Sequence, residues 1–381
     1  MLRAEAQIDL DAIRSSVGVL RAKAGSASLM AVVKADGYGH GAVPAARAAL
    51  DAGATWLGVA YLEEAQQLRK AGIDAPMLLL VEPAPDVIAD AVALGVDVVV
   101  GTTASLETAV QLGSGARVHL KVDTGLSRGG SRAEGWPVLC AAAAAAQSAG
   151  ALAVVGIWSH LACADSPTSP SINRQVADFR AALEVASSYG LRPELRHLAS
   201  SGGILARPDT HFDLVRAGIS LYGLSPGAAV GSAAELGLRP AMRLRARVAL
   251  TKRVPSGTGV SYGHRHVTTR ETTLALVPLG YADGIPRAAA GVAEVLLGGR
   301  RRVVAGTVCM DQFLVEVGDD SVAAGDEVVV FGPGDAGEPT AEEWARSMST
   351  IGYEVVTRIG ARVPRTYVNE GSPVPVDEVS S

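Results

Sequence analysis

Between Leu29 and Gly223 the chain alternates two textures. Short apolar runs rich in β-branched residues are "LMAVVKA", "WLGVA", "PMLLLV", "VDVVVG", "RVHLKVD", "VVGIWSHL", "LRHLASS" and "LVRAGISLYG". Alanine-rich stretches with helical spacing lie between them, such as "GAVPAARAALDAG", "LEEAQQLRKAG" and "NRQVADFRAALEVASSYG". Strands that are apolar throughout are parallel strands covered by helices on both faces. Glycine ends many of the helical stretches, where a left-handed residue closes the last turn. The alanine run at 141–146 reads as helix interior, because alanine is the best helix former. About eight strand–helix repeats predict an α/β fold with a (β/α)8 TIM-type barrel over residues 11–238. A doubly wound open sheet has the same periodicity, and the pattern does not separate the two.

The texture changes after "LGLRPAM". Strand patterns with Gly and Asp turns follow: "LRARVALTKRVP", "TTLALVPLG", "AEVLLGG", "RRVVAGTVCMDQFLVEV" and "DEVVVFG". They predict a mainly β domain over residues 239–370, interrupted by one helix at "TAEEWARSMS". The opening strand, within residues 1–10, precedes the first barrel repeat and is expected to pair with this β domain. The tail over 371–381 is expected to fray.

Composition narrows the function classes. The chain has 381 residues, a length for two domains. Hydrophobic residues make up 48% and charged residues 19%, enough for a large core. A net charge of −5 gives no basic footprint for nucleic acid, and 4% aromatic residues argue against a base-stacking surface. The first residues carry no apolar signal core, and the apolar stretches are broken by Gln, Ser and Gly, so a cytoplasmic protein without a membrane span is expected. Cys140, Cys163 and Cys309 show no metal spacing and read as buried reduced thiols. The histidines form no metal motif, and "HRH" at 264–266 reads as a solvated loop.

Candidate chemistry comes from the five lysines, Lys23, Lys34, Lys70, Lys121 and Lys252. Lys23 and Lys70 fall on polar helix faces, and Lys252 on an exposed strand. Only Lys34 and Lys121 end apolar barrel strands, and barrel active sites are built at those ends. A buried amine must be neutralised, paired or engaged in chemistry. Lys34 is followed by "ADGYGHG", whose glycines let a ligand approach the backbone, so it is the better candidate for covalent chemistry. The seventh strand ends "LASSGG" and the eighth reads "VRAGIS", with hydroxyls and small residues suited to a phosphate. Together with a strand-end lysine they outline a pyridoxal-phosphate site.

The stretch "AVVKADGYGHG" closely resembles the pyridoxal-phosphate attachment signature of alanine racemases. "HLKVDTGLSR", "GIWSHLACAD", "VRAGISLYGLSP", "GVSYGH", "LGYADG", "GTVCMDQ" and "IGYEV…RVPR" follow in that family's order, over nearly the whole chain. The resemblance implies a barrel plus a β domain, assembled head-to-tail as a homodimer whose active sites are shared between subunits. It implies Lys34 as the lysine that carries pyridoxal 5′-phosphate. Tyr38, Ser201, Gly218, Ile219 and Tyr353 fall on phosphate-binding positions, and Arg216 on the arginine facing the pyridine nitrogen. Arg128 matches an arginine near the substrate carboxylate. Tyr262 is similar to the second catalytic base, supplied by the partner subunit, and His160 to its hydrogen-bonding neighbour. Tyr281, Met310 and Asp311 match positions around the substrate entry. Lys121 resembles a lysine often found carbamylated, an anion able to orient Arg128.

The implied activity is interconversion of L- and D-alanine, which supplies D-alanine for peptidoglycan. A racemase needs proton delivery on both faces of Cα, hence two bases. The same motifs fit a racemase of serine or another small amino acid. A non-catalytic pyridoxal-phosphate protein would resemble the barrel alone. Two departures stand out: Ser200 occupies a position where the family commonly has Asn, and "LSRGG" replaces a more usual Arg-Leu-Gly.

Overall fold

The computed structural model describes residues 2–111 and 115–370. The tail expected to fray at 371–381 lies outside the described residues. The first strand, β1 (Ala4–Asp9), is followed by eight parallel strands: β2 (Ser28–Val32), β3 (Trp56–Val59), β4 (Met77–Leu79), β5 (Val98–Val100), β6 (Ala116–Lys121), β7 (Leu152–Trp158), β8 (Leu195–His197) and β9 (Leu214–Ala217).

These eight close into a barrel. Parallel pairing runs β4-β3-β2-β9 and β5-β6-β7-β8. The first seam is a parallel bridge between Leu78 and Asp97. The second is bonded by the Asp213 amide to the Arg196 carbonyl at 3.0 Å and the Arg216 amide to the Ala199 carbonyl at 3.1 Å. The pairing of β2 with β9, Ser28 opposite Leu214, is what an open doubly wound sheet lacks.

Side-chain alternation along the strands splits the barrel core in two. Met30, Val32, Trp56, Leu78, Val99, Trp158 and Leu214 fill the barrel interior. Their neighbours Leu29, Ala31, Leu57, Met77 and Leu79 face outward. There they meet helices such as Ala42–Asp51, Leu62–Lys70 and Trp136–Ser148, whose alanines allow close approach. The 141–146 alanine run is interior to the last of these.

The β domain is a sheet of nine strands. Its members are β1, β10 (Met242–Arg247), β11 (Leu250–Val254), β14 (Thr272–Val277), β15 (Glu294–Leu297), β16 (Arg300–Ala305), β17 (Phe313–Gly318), β18 (Glu327–Phe331) and β19 (Arg365–Val368). A two-stranded ribbon, β12 (Gly259–Val260) and β13 (His266–Val267), stands apart. The first strand β1 lies inside the large sheet, antiparallel to β10 with Ala4 opposite Ala246, and parallel to β19 with Ala6 opposite Arg365.

The sequence predicts one helix here; the structure has two. Ala341–Ser347 carries a capping box between Thr340 and Glu343. Gly352–Thr357 is a second helix, six residues long, with no side-chain cap bond. So short a segment leaves no helical period to read. Two further expectations need correction. Cys140 is buried in a helix, but Cys163 and Cys309 are only partly so, because both sit in loops rather than in the core, Cys309 lining a cavity. In the "HRH" loop, His266 is half-buried and paired with Glu316 at 2.7 Å. No group of residues able to hold a metal occurs among the described residues. No described helix is long and apolar enough to cross a membrane.

Candidate active site

A cavity of about 640 Å³ opens at the C-terminal ends of the barrel strands. It is lined by Lys34 after β2, Glu82 after β4, Lys121 at the end of β6, Trp158 and His160 at the end of β7, Ser200 and Ser201 after β8, and Arg216, Gly218 and Ile219 on and after β9. Arg128 reaches it from the loop after β6, and Tyr38 and Tyr353 complete the wall.

Lys34 leaves β2 into an unusual turn. Ala35, Asp36, Gly37 and Tyr38 have φ of 52°, 51°, 62° and 52°, a left-handed turn built largely from L-residues. Each non-glycine residue there costs roughly 1–2 kcal/mol. The surroundings hold it. Glu64 accepts from the Ala35 amide at 2.6 Å and the Ala60 amide at 2.7 Å, and Asp36 Oδ1 accepts from the Ala42 amide at 2.8 Å. The Tyr38 ring packs against Tyr222 and Tyr353, with centroids 5.1 and 6.2 Å apart. At Gly39 (φ 81°) a side chain is excluded, because a Cβ would lie 2.5 Å from the Val356 carbonyl. That close contact brings the Gly352–Thr357 helix, and with it Tyr353, to the cavity.

Burial, and then the Arg128 cation, hold the Lys34 amine below its ordinary value, against the pull of Glu64. Burial and the cations of Arg128 and Arg216 act likewise on Lys121, opposed by Glu82 and Asp123. Both amines therefore shed a proton more readily than lysine in water. His160 is pushed far below its usual range by burial, then by Arg216, and stays neutral. Burial raises the Tyr38 phenol beyond its usual range and Tyr353 to about 12, so both remain O–H donors.

Opposite the lysine end, Ser201 Oγ accepts from the Gly218 amide at 3.0 Å and the Ser220 amide at 3.3 Å, which leaves its own proton to donate. A Cβ at Gly218 would come within 2.9 Å of the Tyr38 hydroxyl, so glycine keeps that corner open. With Lys34, Lys121, Arg128 and Arg216 against a single carboxylate, Glu82, the cavity suits an anion. Arg216 is buried among acceptors, donating to His197 Nδ1 at 3.0 Å, His160 Nδ1 at 3.1 Å and the Ser159 and Leu198 carbonyls.

Nine of the predicted site residues thus converge on one cavity with Lys121. Tyr262, Met310 and Asp311 do not; they line a separate cavity of about 530 Å³ on the β domain, with Cys309 and Gln312. Tyr262 follows Ser261, whose φ is 61°, and its carbonyl accepts from Thr307 at 2.8 Å. Tyr262, Met310 and Tyr281 are exposed at 73%, 53% and 43%, too much for a finished site within one chain. Tyr281 lies in neither lining, though its amide donates to the Cys309 carbonyl at 3.0 Å.

The sequence reading missed Trp158, Glu64 and His197. Trp158 packs against two basic groups, with Lys121 Nζ 4.6 Å and Arg216 Cζ 4.8 Å from its ring centroid. An aromatic residue at the end of a barrel strand was the available signal for it. Nothing local marks Glu64 or His197.

Known proteins match nearly the whole chain. The family model described as alanine racemase, N-terminal domain, matches residues 8–226, and the C-terminal domain model matches residues 241–367. The alanine racemase of Frankia casuarinae is 59% identical over 371 residues, covering 96% of this chain and 97% of its own. The structure of alanine racemase from Streptomyces coelicolor A3(2) superposes with a TM-score of 0.93 at 53% identity, covering 96% of this chain and 98% of its own. That of the D-cycloserine-producing Streptomyces lavendulae gives 0.93 at 52%, covering 97% of each chain. With both family models matched in order and the barrel and β domain in place, the chain belongs to the alanine racemase family.

Proposed function

We propose that this chain is a pyridoxal-phosphate-dependent alanine racemase, interconverting L- and D-alanine in the cytoplasm and so supplying D-alanine for peptidoglycan. The observation that carries the reading is the convergence of a proton-shedding lysine, a donor-only arginine and a hydroxyl-lined anion corner in one barrel-end cavity.

The residues present fit the cofactor. Ser201, Tyr38, Tyr353 and the Gly218–Ile219 backbone would hold its phosphate, Lys34 its aldehyde carbon and Arg216 its ring nitrogen. When bound, pyridoxal 5′-phosphate takes up the negative charge left as Cα loses its proton. Arg216 offers that ring only N–H groups. It therefore leaves the nitrogen an acceptor and tempers the withdrawal of charge. Arg128, kept near Lys121, would bind the substrate carboxylate.

Proton traffic needs a base on each face of Cα. Lys34, which would hold the cofactor, is also the base for the D-enantiomer. Tyr262 is the base for the L-enantiomer, and His160, neutral and bonded to Arg216, is its neighbour. Residues 11–238 form most of the cofactor-holding unit, to which the same chain's 239–370 unit adds Tyr353; the face of 239–370 that carries Tyr262 would complete a partner's site. The exposure of Tyr262, Tyr281 and Met310 supports a head-to-tail homodimer with two composite sites.

The test is incubation of the purified protein and cofactor with L- or D-alanine in deuterium oxide, beside serine and other small amino acids. Either alanine enantiomer should give a racemate carrying deuterium at Cα. Faster turnover of serine would reassign the substrate, and absence of Cα exchange with every small amino acid would leave only a carrier.

A further inference from the structure

Across the barrel interior, below the cavity, four polar side chains stand in line. Arg216 Nη1 donates to His197 Nδ1 at 3.0 Å, His197 Nε2 meets His119 Nδ1 at 2.9 Å, and His119 Nε2 meets Asp97 Oδ2 at 3.2 Å. Asp97 Oδ1 accepts from Arg117 Nε at 2.9 Å. His119 and His197 are wholly buried, and Asp97 and Arg216 are 3% exposed.

The two ends fix the direction of every bond. A guanidinium only donates and a carboxylate only accepts. His197 must therefore present a bare Nδ1 to Arg216 and carry its proton on Nε2. His119 must then accept at Nδ1 and carry its proton on Nε2, aimed at Asp97. A proton on His119 Nδ1 would place it against the His197 proton, or turn His197 round to face the guanidinium N–H with its own. Burial and the Arg216 cation keep His197 far below its ordinary value, so a second proton on it is disfavoured.

The fold makes room for the line. On β7, Gly156 pairs with His119 of β6. A Cβ on Gly156 would fall 2.2 Å from His119 Nδ1, although its backbone is of the kind any residue adopts. The absence of a side chain there serves the imidazole. Trp158 stacks on His197 with ring planes 2° apart, and Trp56 meets His119 edge-on.

We propose that Asp97 and His119 are positioning residues for the racemase reaction: with His197 they form a one-way hydrogen-bond chain that holds the Arg216 guanidinium in place from the far end of the barrel. This rests on the proposed role of Arg216. Asp97 supplies the charged acceptor that makes one arrangement of protons the best, and its charge answers that of Arg216 across two neutral rings. The function so assigned is orientation: neither residue reaches the cavity lining.

The experiment uses the full chain labelled with nitrogen-15 histidine, and reads the ring tautomers by proton–nitrogen correlation at neutral pH. This needs neither cofactor nor activity. Both His119 and His197 should be neutral with the proton on Nε2. An Nδ1-protonated form of either overturns the chain. Asp97→Ala should mix the His119 tautomers and lower kcat between about 10- and 100-fold, the scale of a misplaced active-site group, with KM for alanine little changed. Asp97→Asn, which restores a carbonyl acceptor, should recover most of both. Unmixed tautomers and unchanged kcat in folded Asp97→Ala overturn the positioning role. If that variant does not fold, the tautomers of the native protein decide. Lack of racemisation in a protein showing the expected tautomers defeats the proposed function instead.

Discussion

Arg216 Nη2 donates to Nδ1 of His160 at 3.1 Å. Because the arginine has nothing to accept with, the neutral imidazole carries its proton on Nε2. A group approaching that nitrogen meets a hydrogen-bond donor backed by a buried cation. This is a favourable setting for a phenolate, and it ties the two halves of the proposed proton traffic together.

Tyr262→Phe removes one hydroxyl and keeps the ring. A positioned acid or base contributes ~10²–10⁴-fold to a proton transfer, so net racemisation should fall by about that order in both directions. Cα exchange should separate by enantiomer. In deuterium oxide, proton NMR should show D-alanine still exchanging through Lys34 while L-alanine nearly stops. Equal residual exchange from the two would remove Tyr262 as the L-side base.

Mixed dimers test the shared site. Lys34→Ala and Tyr262→Phe should each be inactive or nearly so. After subunit exchange, a heterodimer has one site with both native residues, and some activity should return. Confirmed heterodimers without recovery would mean that each site is built from one chain.

Lys121 is expected to be carbamylated. Burial and two neighbouring arginines hold its amine below the ordinary value, which favours the neutral, nucleophilic form. The neutral amine would add CO₂ and release one proton, leaving an anion able to pair with Arg128 where a protonated lysine would be a third cation. Carbon-13 NMR with labelled bicarbonate should show a carbamate resonance that Lys121→Arg abolishes. A native protein with no such resonance would contradict the assignment.

Acid should weaken the turn that carries Lys34. His40 lies wholly buried behind it, donating from Nδ1 to the carbonyls of Gly37 and Tyr38 at 3.0 and 2.9 Å. Burial pushes it from 6.5 to about 4. Between those values the unfolded chain binds more protons, so stability rises with pH across that window and is fully present above it. Over the whole window that is roughly 3 kcal/mol at 1.36 per pH unit. His40→Phe should shrink the difference between urea stabilities at pH 7 and pH 4.5 by about this amount. His160 and His197, also held neutral, leave part of the slope in place. An unchanged difference would show that His40 titrates normally in the fold.

Features written locally were legible along the chain. Apolar runs separated by alanine-rich helical spacing specify parallel strands covered by helices, because burial of both strand faces is a property of each segment. Lys34 and Lys121 were legible for the same reason: a charge at the end of such a run stands out against it. Closure of the barrel through β2 and β9, and the place of β1 between β10 and β19, were decided only in three dimensions. Such pairings join residues hundreds of positions apart, and an open sheet has the same local period. The same holds at the site. Trp158 became part of it because strand ends from β6, β7 and β9 bring Lys121 and Arg216 against its ring. The left-handed turn at Ala35–Tyr38 persists because Glu64, Tyr222 and Tyr353 hold it, not because the intrinsic preferences of Ala and Tyr favour it. The line from Arg216 to Asp97 draws on β9, β8, β6 and the entry to β5, and strand order alone made those neighbours. Residue types carry chemistry along the chain, but which charges, rings and hydroxyls face each other depends on packing between distant segments.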